Sequence, residues 1–107
     1  MNIYDLAKLE LDPNAGGNCN AFYENGPINA RIIVLKAGQK ISDARVDNYV
    51  MFYVVKGEVT LTRNGETAAL HENQVFITEP AVVSLETVHG ARLMGVRISA
   101  WKEETPR

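Results

Sequence analysis

Two histidines, His71 and His89, are the chain's whole supply of imidazole, and both stand beside turn-forming residues, at Glu72-Asn73 and at Gly90. Imidazole is the usual ligand for transition metals and the usual proton-transfer group near neutrality. Two histidines so placed do not make a metal site by themselves, since a catalytic metal takes about three protein ligands. The plainer reading of each is a solvated turn residue. Asp43, Arg45 and Asp47 alternate, so on a strand they share one face. Either that face is solvated, with local ion pairs worth little, or it lines a cavity in which Arg45 grips a carboxylate or phosphate. Tyr23, Tyr49 and Tyr53 have rings to line a cavity and hydroxyls to orient a ligand. Packing in a core or a dimer interface is the simpler use, above all for Tyr53. Cys19 follows Gly16-Gly17-Asn18, with no histidine close in sequence to activate it. Glu79 and Glu86 offer carboxylates for a cation or a proton, and Met51 and Met94, in apolar runs, read as core.

The elements that must position these groups belong to one domain. The chain has 107 residues, 46% hydrophobic and 22% charged, which excludes disorder, collagen and coiled coil. A net charge of −2 provides no basic excess for nucleic acid. One cysteine allows no internal disulfide, which argues against a small secreted scaffold. No apolar run approaches the ~20 residues of a membrane-spanning helix. Met1 to Asp5 lacks the basic and apolar regions of a signal peptide. These features predict a cytoplasmic protein with neither membrane nor nucleic-acid partners.

Residues 3–10 fit one or two helical turns, and Pro13 to Asn18 reads as a loop. Short apolar runs then recur between turn residues. Phe22-Tyr23 ends at Asn25-Gly26-Pro27, Ile32 to Leu35 at Ala37-Gly38, and Tyr49 to Val55 at Lys56-Gly57. Val59 and Leu61 alternate with polar residues up to Asn64-Gly65, a strong hairpin signal that requires positive φ at both residues. Further runs follow at Ala68–Leu70, Val75–Thr78, Ala81–Val88 and Arg92–Ala100, before a tail that looks solvated. Eight or nine short strands with almost no helix predict an all-β sandwich or barrel. Ile32–Leu35 and Tyr49–Val55 are apolar on both faces, so each face needs cover, from the opposite sheet or from a second subunit.

Residues 30 to 100 resemble a small single-domain cupin. Leu35-Lys36-Ala37-Gly38-Gln39-Lys40-Ile41 is similar to the opening of the first cupin motif. Phe52-Tyr53-Val54-Val55-Lys56-Gly57-Glu58-Val59-Thr60-Leu61 is similar to its end. Leu70 to Ile77 and Glu79-Pro80-Ala81-Val82-Val83 fit the second motif and its proline loop. The resemblance implies an antiparallel double-stranded β-helix, a jelly-roll barrel, over a single domain 1–107. It also implies where a metal would be held. Counting from Gly38 and Gly57 puts the first-motif ligand slots at Ala44, Val46 and Val50, and the fourth slot falls at Leu85. A shifted register substitutes Asp43 and Arg45, with Ser84 fourth. Neither register supplies a ligand set, because carbon side chains have no donor atoms and arginine stays cationic. Spacing from Gly38 favours Ala44 and Val46 inward.

The resulting expectation is a metal-free, cofactor-free barrel whose interior takes a small organic ligand. The inward residues are Val46, Val50, Phe52, Val54, Phe76, Leu85 and Met94, with Tyr23, Tyr49, Arg45 or His89 at the mouth. One alternative is an enzyme, either an isomerase or epimerase or a metalloenzyme with relocated ligands such as Asp43, His89 and Glu86. Another is a structural or regulatory subunit whose barrel is filled. The two-faced apolar runs predict a two-fold homodimer.

Overall fold

The computed structural model describes residues 1–12, 14, 17 and 19–99, the side chain of Asp43 excepted. Most of the predicted loop from Pro13 to Asn18, and the tail from Ala100, lie outside the described residues. Eight strands follow one another: β1 (Cys19–Asn25), β2 (Ile28–Leu35), β3 (Lys40–Val46), β4 (Tyr49–Arg63), β5 (Glu66–His71), β6 (Val75–Thr78), β7 (Ala81–Glu86) and β8 (Ala91–Ile98). All pairings are antiparallel. One sheet runs β1-β2-β8-β4-β6 and the other β3-β7-β4-β5. The strand pattern allows an all-β sandwich or barrel, and the antiparallel barrel that the cupin resemblance implies is the fold observed. Among the described residues there is no helix, and none therefore long and apolar enough to cross a membrane. Near the N-terminus, Lys8 N and Leu9 N donate to Asp5 O and close a single turn.

Strand β4 belongs to both sheets. The sequence predicts a stop at Lys56-Gly57, yet the strand continues through it for 15 residues. A bulge between Val54 and Lys56, with Gly57 at φ 85°, bends the strand so that its first half pairs with β6 and β8 and its second half with β5 and β7. The extra residue also inverts the inward phase, which changes from Val50, Phe52 and Val54 to Val59 and Leu61. A second bulge in β3, between Ile41 and Ala44, does the same on the opposite sheet. Val54, Val59, Val83, Leu85 and Leu93 fill the centre of the core between the sheets. At the hairpin, Asn64 (φ 48°) and Gly65 (φ 89°) take the primed-turn conformation that the alternation predicts.

The two-faced runs find different cover. Ile32 points away from the barrel, in register with Met94, and is fully buried. The N-terminal segment crosses that face: Arg92, opposite Val34, donates to Leu6 O at 3.1 Å and Leu9 O at 2.6 Å, and the Tyr4 and Phe22 rings meet at 4.8 Å. Cover for this run thus comes from the chain's own start. Farther along the same sheet, Tyr49, Ile77, Ile98 and Ile28 remain exposed on the outer face.

Candidate functional site

At one end the two sheets part around a cavity of about 290 Å³. Its floor is carbon: Ile33 from β2, Ile41 from β3, Val50 and Phe52 from β4, Val83 and Leu85 from β7. Gly95 of β8 makes the space. A Cβ there would press on Ile33 Cδ1 at 3.2 Å and Phe52 Cε1 at 3.3 Å, so a side chain would displace the rings and methyls that shape the floor. Ala44 and Val46 point into the cavity on β3, as the count from Gly38 predicts. The β3 bulge is what puts them in phase with Ile41.

The rim is polar and mostly cationic. Arg31, Arg45 and Arg97 border it from three strands, with Asp47, Asn48 and Cys19 beside them. Arg31 is in phase with Ile33 and Leu35, and Arg97 with Leu93 and Gly95, so both arginines stand on the inward row at the open end. Arg31 Nε donates to Asn29 Oδ1 at 2.8 Å, and its Nη1 lies 3.5 Å from Cys19 Sγ. Among the described residues, Arg45 and Arg97 have no side-chain hydrogen bond or ion pair.

Of the residues expected to line the pocket or its mouth, Arg45, Val46, Val50, Phe52 and Leu85 border this cavity. The others are placed elsewhere. Val54 is inward but wholly enclosed deeper in the core. Phe76 stacks on Phe52, ring centroids 6.4 Å apart, and faces a gap beside β5 rather than the cavity. Met94, expected inward, is on the outer face, because β8 turns Leu93 and Gly95 to the barrel; it borders a shallow groove with Tyr4, Phe22 and Tyr23. Tyr23 is therefore not at the mouth, and Tyr49 projects from the outer sheet face in register with Ile98. His89, expected at the mouth, lies exposed at the opposite end, next to Gly90. Roughly 20 Å of strand β8 separates that end from Arg97. His71 is at that end too, its Nδ1 3.3 Å from Glu58 Oε1.

Sequence reasoning missed Ile33, Ile41, Val83 and Gly95 on the floor, and Arg31 and Arg97 at the rim. The signal for the two arginines is phase: Arg31-Ile33-Leu35 and Leu93-Gly95-Arg97 each place a guanidinium at the end of an inward apolar row.

The positions that would hold a metal in this architecture, Ala44, Val46, Val50 and Leu85, are gathered at the cavity and bring only carbon to it. Three arginines at the rim oppose a cation further. Among the described residues no group of three His, Cys, Asp or Glu side chains is placed to hold an ion. The residues present do not fit a resident metal. The relocated set of Asp43, His89 and Glu86 is not brought to the cavity either, since neither His89 nor Glu86 borders it.

No family model matches the sequence, and no curated protein matches it. Solved structures do match the fold. An RmlC-like cupin protein from Desulfovibrio desulfuricans superposes with a TM-score of 0.77 at 14% identity, over 92% of this chain and 96% of that one. The Cnp3 cupin domain of Schizosaccharomyces pombe gives 0.76 at 18% identity, over 97% and 73%. A cupin 2 conserved barrel domain protein from Salinispora arenicola gives 0.73 at 19% identity, over 94% and 90%. Eight antiparallel strands, a shared bent β4 and these superpositions together give the chain the fold of the cupin superfamily, a small conserved barrel.

Proposed function

We propose that the protein is a metal-free cupin that binds a small organic molecule in its barrel. The observation that carries this reading is the cavity itself: about 290 Å³, floored with carbon and open at one end. A filled structural barrel would have no such space, and a metal-dependent enzyme would have donors where Ala44, Val46, Val50 and Leu85 stand. Elemental analysis of protein purified without a histidine tag tests the metal-free half: the expected result is no stoichiometric zinc, iron, nickel or manganese, and no shift of Tm with chelator. About one metal per chain, lost on mutating His89 or Asp43, would promote the enzyme reading. Ligand-observed NMR with small apolar fragments tests the other half, with Ala44→Leu expected to fill the cavity and abolish binding.

The outer face supports self-association. Tyr49, Met51 and Ile77 lie beside Val96, Ile98 and Ile28 in one pleated apolar patch, and paired residues across β4 and β8 point the same way. We infer a two-fold homodimer through this face. Light scattering at micromolar concentration should read a dimer, and Tyr49→Asp a monomer. A monomeric wild type would remove the inference.

A further inference from the structure

Resting on the reading of the cavity as a ligand pocket, we propose that its occupant is a small apolar monocarboxylic acid, held by Arg31 and Arg97 through its carboxylate. Three features converge on this. The chain as a whole is acidic, with 13 Asp and Glu against 11 Lys and Arg, yet the described rim reverses that balance with three arginines to one carboxylate, Asp47. Two guanidinium groups side by side on adjoining strands repel one another unless an anion joins them. The register sharpens the point. Arg31 pairs with Gly95 and Arg97 with Asn29, so the two inward arginines are diagonal neighbours on adjoining strands, above the gap that Gly95 leaves. Asn29 fixes the Arg31 fork through Nε, while Arg97 has no partner among the described residues.

The floor sets the rest of the ligand. Below the arginines the wall is Ile33, Val50, Phe52, Val83 and Leu85, which can satisfy no polar group. The body of the ligand is therefore hydrocarbon. A cavity of about 150 Å³ already admits benzene, so about 290 Å³ takes a ring or short chain with its carboxylate at the rim. A phosphate dianion fits less well, because it brings no apolar body to the floor and meets Asp47 at the rim.

4-Fluorobenzoate, its neutral counterpart 4-fluorobenzyl alcohol and inorganic phosphate test this on the full chain by fluorine NMR. Cys19, the chain's single cysteine and a rim residue, gives a second readout through its rate of alkylation. The acid should bind about tenfold or more tighter than the alcohol and slow alkylation of Cys19. Arg97→Gln and Arg31→Gln should each weaken the acid about tenfold and leave the alcohol unchanged, with Arg97→Lys intermediate and all three variants keeping the wild-type circular dichroism spectrum. Equal binding of acid and alcohol would overturn the carboxylate assignment and leave the apolar pocket standing. Binding of neither, with Cys19 alkylation unchanged, would overturn both. Phosphate displacing the acid at equal concentration would replace the organic acid with an inorganic anion.

Discussion

The two ends of the barrel use the same strands to opposite effect. At the closed end, Gly57 of β4 and Gly90 just before β8 approach so closely that a Cβ on Gly57 would overlap the Gly90 carbonyl oxygen. Thr87, nearly fully buried, donates from Oγ1 to Glu58 O at 2.8 Å and accepts from Gly90 N at 3.1 Å, while its own carbonyl accepts from Gly38 N. At the open end, Arg31 near the start of β2 and Arg97 near the end of β8 border the cavity instead, and Gly95 keeps space where Gly57 closes it. Backbone contact and a buried hydroxyl hold one end shut. The absent side chain of Gly95 leaves room at the other. On the proposed function, stability and binding belong to opposite ends of the same β8.

That contrast can be broken at either end. The largest effect belongs to Gly57→Ala, where positive φ and the overlap with Gly90 act together. A loss of about 3 kcal/mol or more is expected in urea unfolding. Thr87→Val removes the hydroxyl that satisfies two backbone groups, and should destabilise by about 2 kcal/mol. Gly65→Val isolates backbone strain, because Gly65 has nearly the φ of Gly57 but no atom within 4 Å of a Cβ. It should cost about 1 kcal/mol. A Gly65 variant as damaging as the Gly57 one would mean that strain, not the Gly90 contact, closes the end. At the open end, Arg97→Gln should change stability by no more than about 0.5 kcal/mol, in either direction. A large loss there would make Arg97 a structural residue and undo the division.

The fold was legible because its cues are local. Asn64-Gly65, the apolar runs and the cupin-like phrases around Gly57 and Pro80 all lie within a few residues of the features they specify. The cavity floor was legible in part for the same reason, since counting from Gly38 reaches Val46 and Val50. Phase across bulges was not. The run Tyr49–Val55 is apolar on both faces, so nothing in it announces that the inward phase changes beyond Val54 and that Gly57 bends the strand rather than ending it. Hydrophobicity alone points Met94 inward, yet this barrel also has an apolar outer face, on which Met94 lies against the N-terminal segment. His89 lies just past the fourth ligand slot, a count that does not reveal that Gly90 packs at the closed end. Arg31 and Arg97 lie far apart in the sequence. Only the pairing of β2 with β8 brings them together.

Methyl chemical shifts on titration with 4-fluorobenzoate test the central claim most directly, because methyl groups populate both ends. Val46, Val50, Val83 and Leu85 border the cavity, whereas Val54, Val59 and Leu93 do not. Saturable shifts concentrated on the first group, with the second group nearly still, are the predicted result. Shifts spread evenly over both groups, or confined to Met94 and the outer face, would contradict a binding cavity at the arginine-rimmed end.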